Sequence, residues 1–193
     1  MPTLSSLCQQ YLQTIYRDKV LPATTTIAET YGEIFYESVE KLLAAIPLTE
    51  TDIFCDLGSG LGKLVAQVML TTPAQEGRGI EINPHLHAQA LLAKQRIEQD
   101  YPALVQQGRT LSFVNGDFLT APLTGATVAL IASPCFSPLL LNSLGKRLDA
   151  TPTIHTVLSL RPIATLERLH FKKTIRVECS WDTALCYVYR EKK

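Results

Sequence analysis

The chain has 193 residues, 46% of them hydrophobic, and its 18 Lys and Arg balance 18 Asp and Glu to a formal net charge of zero. This length supports one domain with a sizeable core. A balanced charge excludes a general electrostatic grip on nucleic acid, which needs a basic face, so no strong nucleic-acid binding is expected; a solvated strand edge accounts for Lys172, Lys173 and Arg176.

Leu4 to Val20 carries Leu7, Tyr11, Leu12 and Ile15 at helical spacing, before Pro22 and Thr24 to Thr26 break the pattern. Polar residues throughout this stretch leave no apolar core of signal-peptide length. Ala28 to Ile46 predicts a second helix ended by Pro47, with Gly32 inside it. A Gly there costs about 1 kcal/mol against Ala, so a packing or ligand reason is expected, or a break in the helix. Residues 1–50 are expected to form an N-terminal helical lid and 51–193 the main domain.

Strand and helix then alternate. Strands are expected at Ile53–Asp56, Gly77–Ile82, Leu111–Val114, Val128–Ala132 and Ile154–Leu158. Helices follow at about 63–70, from Pro84 to about Asp100, and near Pro138–Leu148, with Pro84 at a favoured first-turn position. Thr174–Trp181 and Ala184–Arg190 are β-rich and closely spaced, and predict a hairpin. The expected fold class is α/β: a Rossmann-like, doubly wound, mostly parallel sheet with a C-terminal antiparallel hairpin and an N-terminal helical segment. That is the class I methyltransferase architecture. No run approaches the roughly 20 apolar residues of a membrane span.

Residues Asp56 to Lys63 read Asp-Leu-Gly-Ser-Gly-Leu-Gly-Lys between the first strand and a helix. Glycines at 58, 60 and 62 let main-chain N–H groups approach a ligand. Glu81 ends the next strand about twenty residues beyond the turn, the spacing at which such folds bind a ribose. Dinucleotide folds use G-x-G-x-x-G to seat a pyrophosphate. Here Gly62 comes one residue early, and Asp56 would repel a pyrophosphate but suit the ammonium of a methionine moiety. The pattern therefore favours S-adenosylmethionine as cofactor and disfavours a nucleotide-dependent oxidoreductase. Fold stability is expected to depend little on Glu81.

Asp117 and Phe118 follow the third strand, where a carboxylate accepts from an adenine amino group and a ring stacks on the purine; a polar turn with a core Phe reads as well. Ser133-Pro134-Cys135-Phe136 follows the fourth strand. Amino-methyltransferases carry there an Asn, Asp or Ser, then Pro, then an aromatic; the polar oxygen accepts from the target nitrogen and the ring contacts the methylammonium. A plain strand-to-helix turn fits equally. Trp181 is expected to be a packing residue. The cysteines at 8, 55, 135, 179 and 186 form no zinc spacing and no disulfide framework, which suits a reducing, cytoplasmic compartment; no metal is expected, and His85, His87, His155 and His170 read as surface or core residues.

Thr30-Tyr31-Gly32-Glu33, Asp56 to Gly62, Glu81, Asp117-Phe118, Ser133 to Phe136, Ser180-Trp181 and Tyr187 occur in the order seen in the non-SET histone lysine methyltransferases, the disruptor-of-telomeric-silencing family, which most of residues 28–190 resembles. The chain is also similar to the small mitochondrial lysine methyltransferases. The family resemblance implies that Tyr31 and Glu33 contact the methionine end, that Asp56 and the glycines hold it from below, that Glu81 binds the ribose, and that Asp117 and Phe118 bind the adenine; Lys63, which ends the glycine motif, is expected among the cofactor-binding residues. It implies that Ser133 stands where the family has an Asn lining a lysine channel, with Phe136 and Tyr187 beside it. Ser is shorter than Asn, and the family's long basic tail is missing from this sequence, so a protein lysine is the expected acceptor but a nucleosome is not implied. A small-molecule or nucleic-acid amine and a non-catalytic cofactor-binding module are the alternatives.

Overall fold

The strands build a sheet in which almost every central residue is covered on both faces. In this computed structural model residues 3–17, 32–132 and 135–192 are described. In chain order the elements are α1 (Leu4–Tyr16), α2 (Tyr36–Ala45), β1 (Ile53–Leu57), α3 (Lys63–Thr71), β2 (Glu76–Glu81), α4 (Pro84–Asp100), α5 (Pro102–Gln106), β3 (Thr110–Asn115), β4 (Val128–Ile131), α6 (Pro138–Asp149), β5 (Thr156–Ser159), β6 (Leu169–Glu178) and β7 (Thr183–Glu191). The sheet order is β3-β2-β1-β4-β5-β7-β6. β1 to β5 are parallel, and β7 runs antiparallel between β5 and β6.

All four residues of β4 and of β5 are buried, the mark of parallel strands under helices on both faces. Alternation sends Val128 and Leu130 of β4 into one core with Leu12, Leu42, Met69, Ile97 and Val188, and Ala129 and Ile131 into another with Leu141, Leu144, Leu148 and Ile163. The N-terminal helices thus bury Leu12 and Leu42 in a cluster shared with the sheet. The strand order reverses between β1 and β4, and a ligand crevice opens at such a switch point, at the carboxyl ends of the strands.

Three expectations change. Gly32 to Phe35 are not helical: Ile34 bridges antiparallel to Cys179, and Phe35 N–H donates to the Glu178 carbonyl at 2.9 Å, so α2 starts only at Tyr36. β6 begins at Leu169, five residues earlier than Thr174; its polar stretch through Lys172 and Lys173 is an edge strand with a bulge between Phe171 and Lys173, and edges carry lysines and bulges that discourage pairing with other chains. The short α5, opened by Pro102 at its first turn, was not anticipated. The expected end of the first helix, at 18–20, lies outside the described residues.

Candidate active site

The turn from β1 to α3 is built on three left-handed glycines, Gly58 (φ 93°), Gly60 (φ 54°) and Gly62 (φ 77°). Gly62 is constrained twice, because a Cβ there would also stand 2.5 Å from the Phe113 ring. Gly58 N–H and Ser59 N–H both donate to the Ile80 carbonyl, at 2.9 and 3.1 Å, which fastens the turn to β2. Glu81, 8% exposed, completes the fastening: one oxygen accepts from Gly60 N–H at 2.8 Å and the other from Asn83 N–H at 2.8 Å. Glu81 is therefore also a structural brace, against the expectation that the fold would be indifferent to it. Asn83 in turn caps α4 by accepting from His85 and Leu86 N–H.

Beside this brace lies Asp56, 3% exposed, whose Oδ1 has no hydrogen-bond partner. Burial and then the neighbouring Glu81 charge push its carboxyl up to about 7. A buried, unpartnered carboxylate oxygen is costly unless something supplies a donor.

These groups form the floor of a cavity of about 300 Å³. One wall is Gly32, Glu33, Ile34 and Trp181. Main-chain and side-chain bonds join its halves: Ser180 N–H donates to the Glu33 carbonyl at 2.8 Å, and Glu33 N–H donates to Ser180 Oγ at 3.0 Å. A Cβ on Gly32 would stand 2.3 Å from Trp181 Cε3, so close ring contact explains this glycine. Trp181 is 38% exposed and lines the cavity, so it is not the interior packing residue expected. Lys63 forms an ion pair with Glu33 at 2.6 Å. The opposite wall is Ala132, Cys135, Phe118 and Phe136, with the two rings 5.1 Å apart. Ile82 and Leu86 add apolar surface beside Glu81.

Of the residues singled out from sequence, Glu33, Asp56, Gly58, Gly60, Lys63, Glu81, Phe118 and Phe136 come together on this cavity. Gly62 shapes the turn without lining it. Asp117 does not line it either: its Oδ1 accepts from Leu119 N–H at 2.8 Å and closes the turn that carries Phe118. Tyr187 sits on β7 opposite Ser159, half-buried, with its ring 6.2 Å from Phe171, off the cavity wall. Phe136 is buried against Phe118 instead of standing free at a slot. Tyr31 and Ser133 lie outside the described residues.

Sequence reasoning missed Gln67 and Asn83. Gln67 is 2% exposed, lines the cavity and donates to the Tyr36 carbonyl at 2.9 Å. A glutamine on the buried side of an otherwise apolar helix, within Val65-Ala66-Gln67-Val68-Met69, was the available signal. Among the described residues no cluster of His, Cys, Asp or Glu could hold a metal ion, and no helix is long and apolar enough to cross a membrane.

The donor set fits a ligand with an ammonium at one end, a diol in the middle and a flat base at the other. The free Asp56 oxygen suits the ammonium, and each Glu81 oxygen keeps a second acceptor site for a hydroxyl. The Phe118, Ile82 and Leu86 surface suits the base, and the volume lies at the lower end of the range for small-molecule sites.

Solved structures similar to this chain carry the same architecture. An RNA methyltransferase from Salinibacter ruber in complex with S-adenosyl-L-homocysteine aligns with a TM-score of 0.55 and 24% identity over 90% of this chain and 96% of that one. A putative RNA methyltransferase from Pyrococcus horikoshii aligns with a TM-score of 0.63 and 12% identity over 100% of both chains. At these identities the likeness is one of fold. Among curated proteins, the H3 lysine-79 specific histone-lysine N-methyltransferase of Candida albicans is 28% identical over 171 residues, 86% of this chain, and that of Drosophila melanogaster is 35% identical over 82 residues, 39% of this chain. The chain spans only 12% and 4% of the lengths of these two relatives. The family model of the histone methylation protein DOT1 matches residues 16–178, a stretch that contains the glycine turn, Glu81 and both cavity walls up to β6, and the chain belongs to that family.

Proposed function

We propose that this chain is an S-adenosylmethionine-dependent N-methyltransferase whose acceptor is a lysine side chain of a protein. The observation that carries the cofactor is the buried Asp56 Oδ1 without a partner, set beside Glu81 at the carboxyl edge of the sheet. The acceptor class rests on membership of the DOT1 family and on relatives that are named histone-lysine methyltransferases.

When bound, the cofactor supplies an electrophilic methyl group on a sulfonium. The protein's own part is to hold and align. Asp56 would hold the ammonium, Glu81 the ribose hydroxyls, and Phe118 with Ile82 and Leu86 the base. The Lys63–Glu33 pair fixes the segment that carries Gly32 against Trp181. Apolar walls would keep water from the reacting end, so rate would come from orientation and desolvation of an amine that arrives neutral. Five unpaired cysteines support a reducing, cytoplasmic setting.

The test is transfer of label. Incubation with cofactor labelled on the methyl group and a size-fractionated cell extract should place label in protein, recovered as methyl-lysine after acid hydrolysis. Label confined to RNA would replace lysine by an RNA acceptor; two of the proteins of similar fold are named as RNA methyltransferases, one of them as putative. Absence of transfer together with absence of cofactor binding would refute the activity.

A further inference from the structure

Several arginines of this chain spend their guanidinium groups on main-chain carbonyls. Arg109, just before β3, donates to the carbonyls of Met69, Thr72 and Ala74 and so closes the end of α3, away from the cavity. Two others reach the loops that carry the cavity's aromatic rings. Arg147 of α6 donates to the Phe118 carbonyl at 2.8 Å and also to the Ala121 carbonyl. Arg161, just beyond β5, donates to the Phe136 carbonyl at 2.6 Å. Neither arginine lines the cavity.

We propose that Arg147 and Arg161 are positioning residues for the cofactor, holding from behind the two loops whose Phe118 and Phe136 rings form the aromatic wall. Neither ring sits on a strand or a helix: Phe118 follows β3 and Phe136 precedes α6. Local support for the first loop is a turn closed by Asp117, which accepts from Leu119 N–H and whose carbonyl accepts from Thr120 and Ala121 N–H. That turn sets the shape of the loop, and Arg147 ties it to α6. A planar guanidinium offers several donors in a fixed fork, so it can hold two carbonyls at once, whereas an ammonium is a single flexible point donor. Arg161 performs the same service for Phe136 from the loop that follows β5. Because the rings lie 5.1 Å apart and tilted at 45°, release of either loop changes the surface offered to the base. The inference rests on reading the cavity as the cofactor site.

The experiment is calorimetry of S-adenosylhomocysteine binding, with thermal melts, on the wild-type chain and on Arg147→Gln, Arg161→Gln, Arg147→Lys, Arg161→Lys and, as control, Arg109→Gln. Each Gln change at 147 and 161 should weaken binding about tenfold, the scale of one lost charge-assisted hydrogen bond. At 147, where two carbonyls are held, Lys should recover only part of the loss. Arg109→Gln should lower the melting temperature and leave affinity within about twofold. Hydrogen exchange on the ligand-free proteins should rise around 118–122 for Arg147→Gln and around 135–137 for Arg161→Gln; if a Gln variant does not fold, its Lys counterpart carries both measurements. Unchanged affinity and unchanged exchange in the 147 and 161 variants would overturn the proposal, as would an equal loss of affinity in Arg109→Gln. Failure of the wild-type chain to bind would overturn the cofactor reading itself, and this inference with it.

Discussion

Glu81 is the last residue of β2 and Asp56 the last but one of the adjacent parallel β1, yet they divide the work: Glu81 has both oxygens engaged by main-chain N–H groups, while Asp56 keeps Oδ1 unengaged in a buried position. The engaged carboxylate is structural as well as ligand-facing. The other is a charge site held in reserve.

This arrangement makes stability depend on pH. The Asp56 carboxyl is raised from 3.8 to about 7, by burial first and by Glu81 second. Between those values the folded chain binds more proton than the unfolded chain, so this contribution to stability is full below about pH 4 and is lost as pH rises toward 7. The slope is on the order of 1.4 kcal/mol per pH unit inside that window. Asp56→Asn should therefore raise the melting temperature of the ligand-free protein most at pH 8, less at pH 5, and little near pH 4. In wild type, cofactor affinity should increase from pH 6 to pH 8, because the ammonium selects the ionised carboxylate, and calorimetry in buffers of different ionisation heat should register proton release. A pH-independent affinity would remove Asp56 from the ammonium contact.

Glu81→Ala should weaken S-adenosylhomocysteine binding by about 1–3 kcal/mol. It should also lower stability, by about 1–3 kcal/mol, because Gly60 N–H and Asn83 N–H lose their acceptors. Calorimetry and denaturant titration separate the two losses. A binding defect with unchanged stability would mean that the turn does not need this brace.

The chain has one tryptophan, and it lines the cavity at 38% exposure. Its fluorescence should respond to ligand directly. Gly32→Ala places a methyl within 2.3 Å of the ring and must displace it, so emission should shift and affinity should fall about tenfold, with much of the global stability retained. An unshifted spectrum would place Gly32 and Trp181 apart in solution.

We propose that the N-terminal helices serve the cavity as a lid while remaining part of the core. α1 contributes Cys8, Leu12 and Tyr16 to the cluster that includes Val68 and Met69. Removing residues 1–27 should therefore destabilise the protein, and removing residues 1–48 should also abolish cofactor binding by deleting the Gly32–Ile34 wall. A fully binding-competent fragment starting near Thr49 would refute this. An unchanged melting temperature for the shorter deletion would show that α1 is dispensable to the core.

Much of the cavity floor was legible in the sequence because its geometry is local. The glycines sit at left-handed positions of one turn, Pro84 announces the start of α4, and the run around Phe54 and Cys55 is apolar because both sheet faces are covered. The walls were less legible because long-range pairing makes them. Residues 32–35 run directly into α2, yet they pair with the far end of β6, where Ser180 stands 147 residues from Glu33 and no local pattern announces it. Asp117 follows β3 as expected, but its carboxylate is turned back onto its own loop. Tyr187 has the right strand and lies off the wall, because hairpin register decides which residue reaches the crevice.

That long-range pairing also sets an order of assembly. Gly32 and Glu33 leave the ribosome early, but the Ser180 groups that hold them and the Trp181 ring that covers them arrive almost a whole domain later. Through most of translation the glycine turn and Glu81 can be in place while one wall of the cavity does not yet exist. Ligand cannot stabilise such a nascent chain by mass action, since it has no competent site to occupy. Any product terminated before Ser180 should therefore be as unstable with cofactor as without it, and cofactor should rescue only chains synthesised past the hairpin tip.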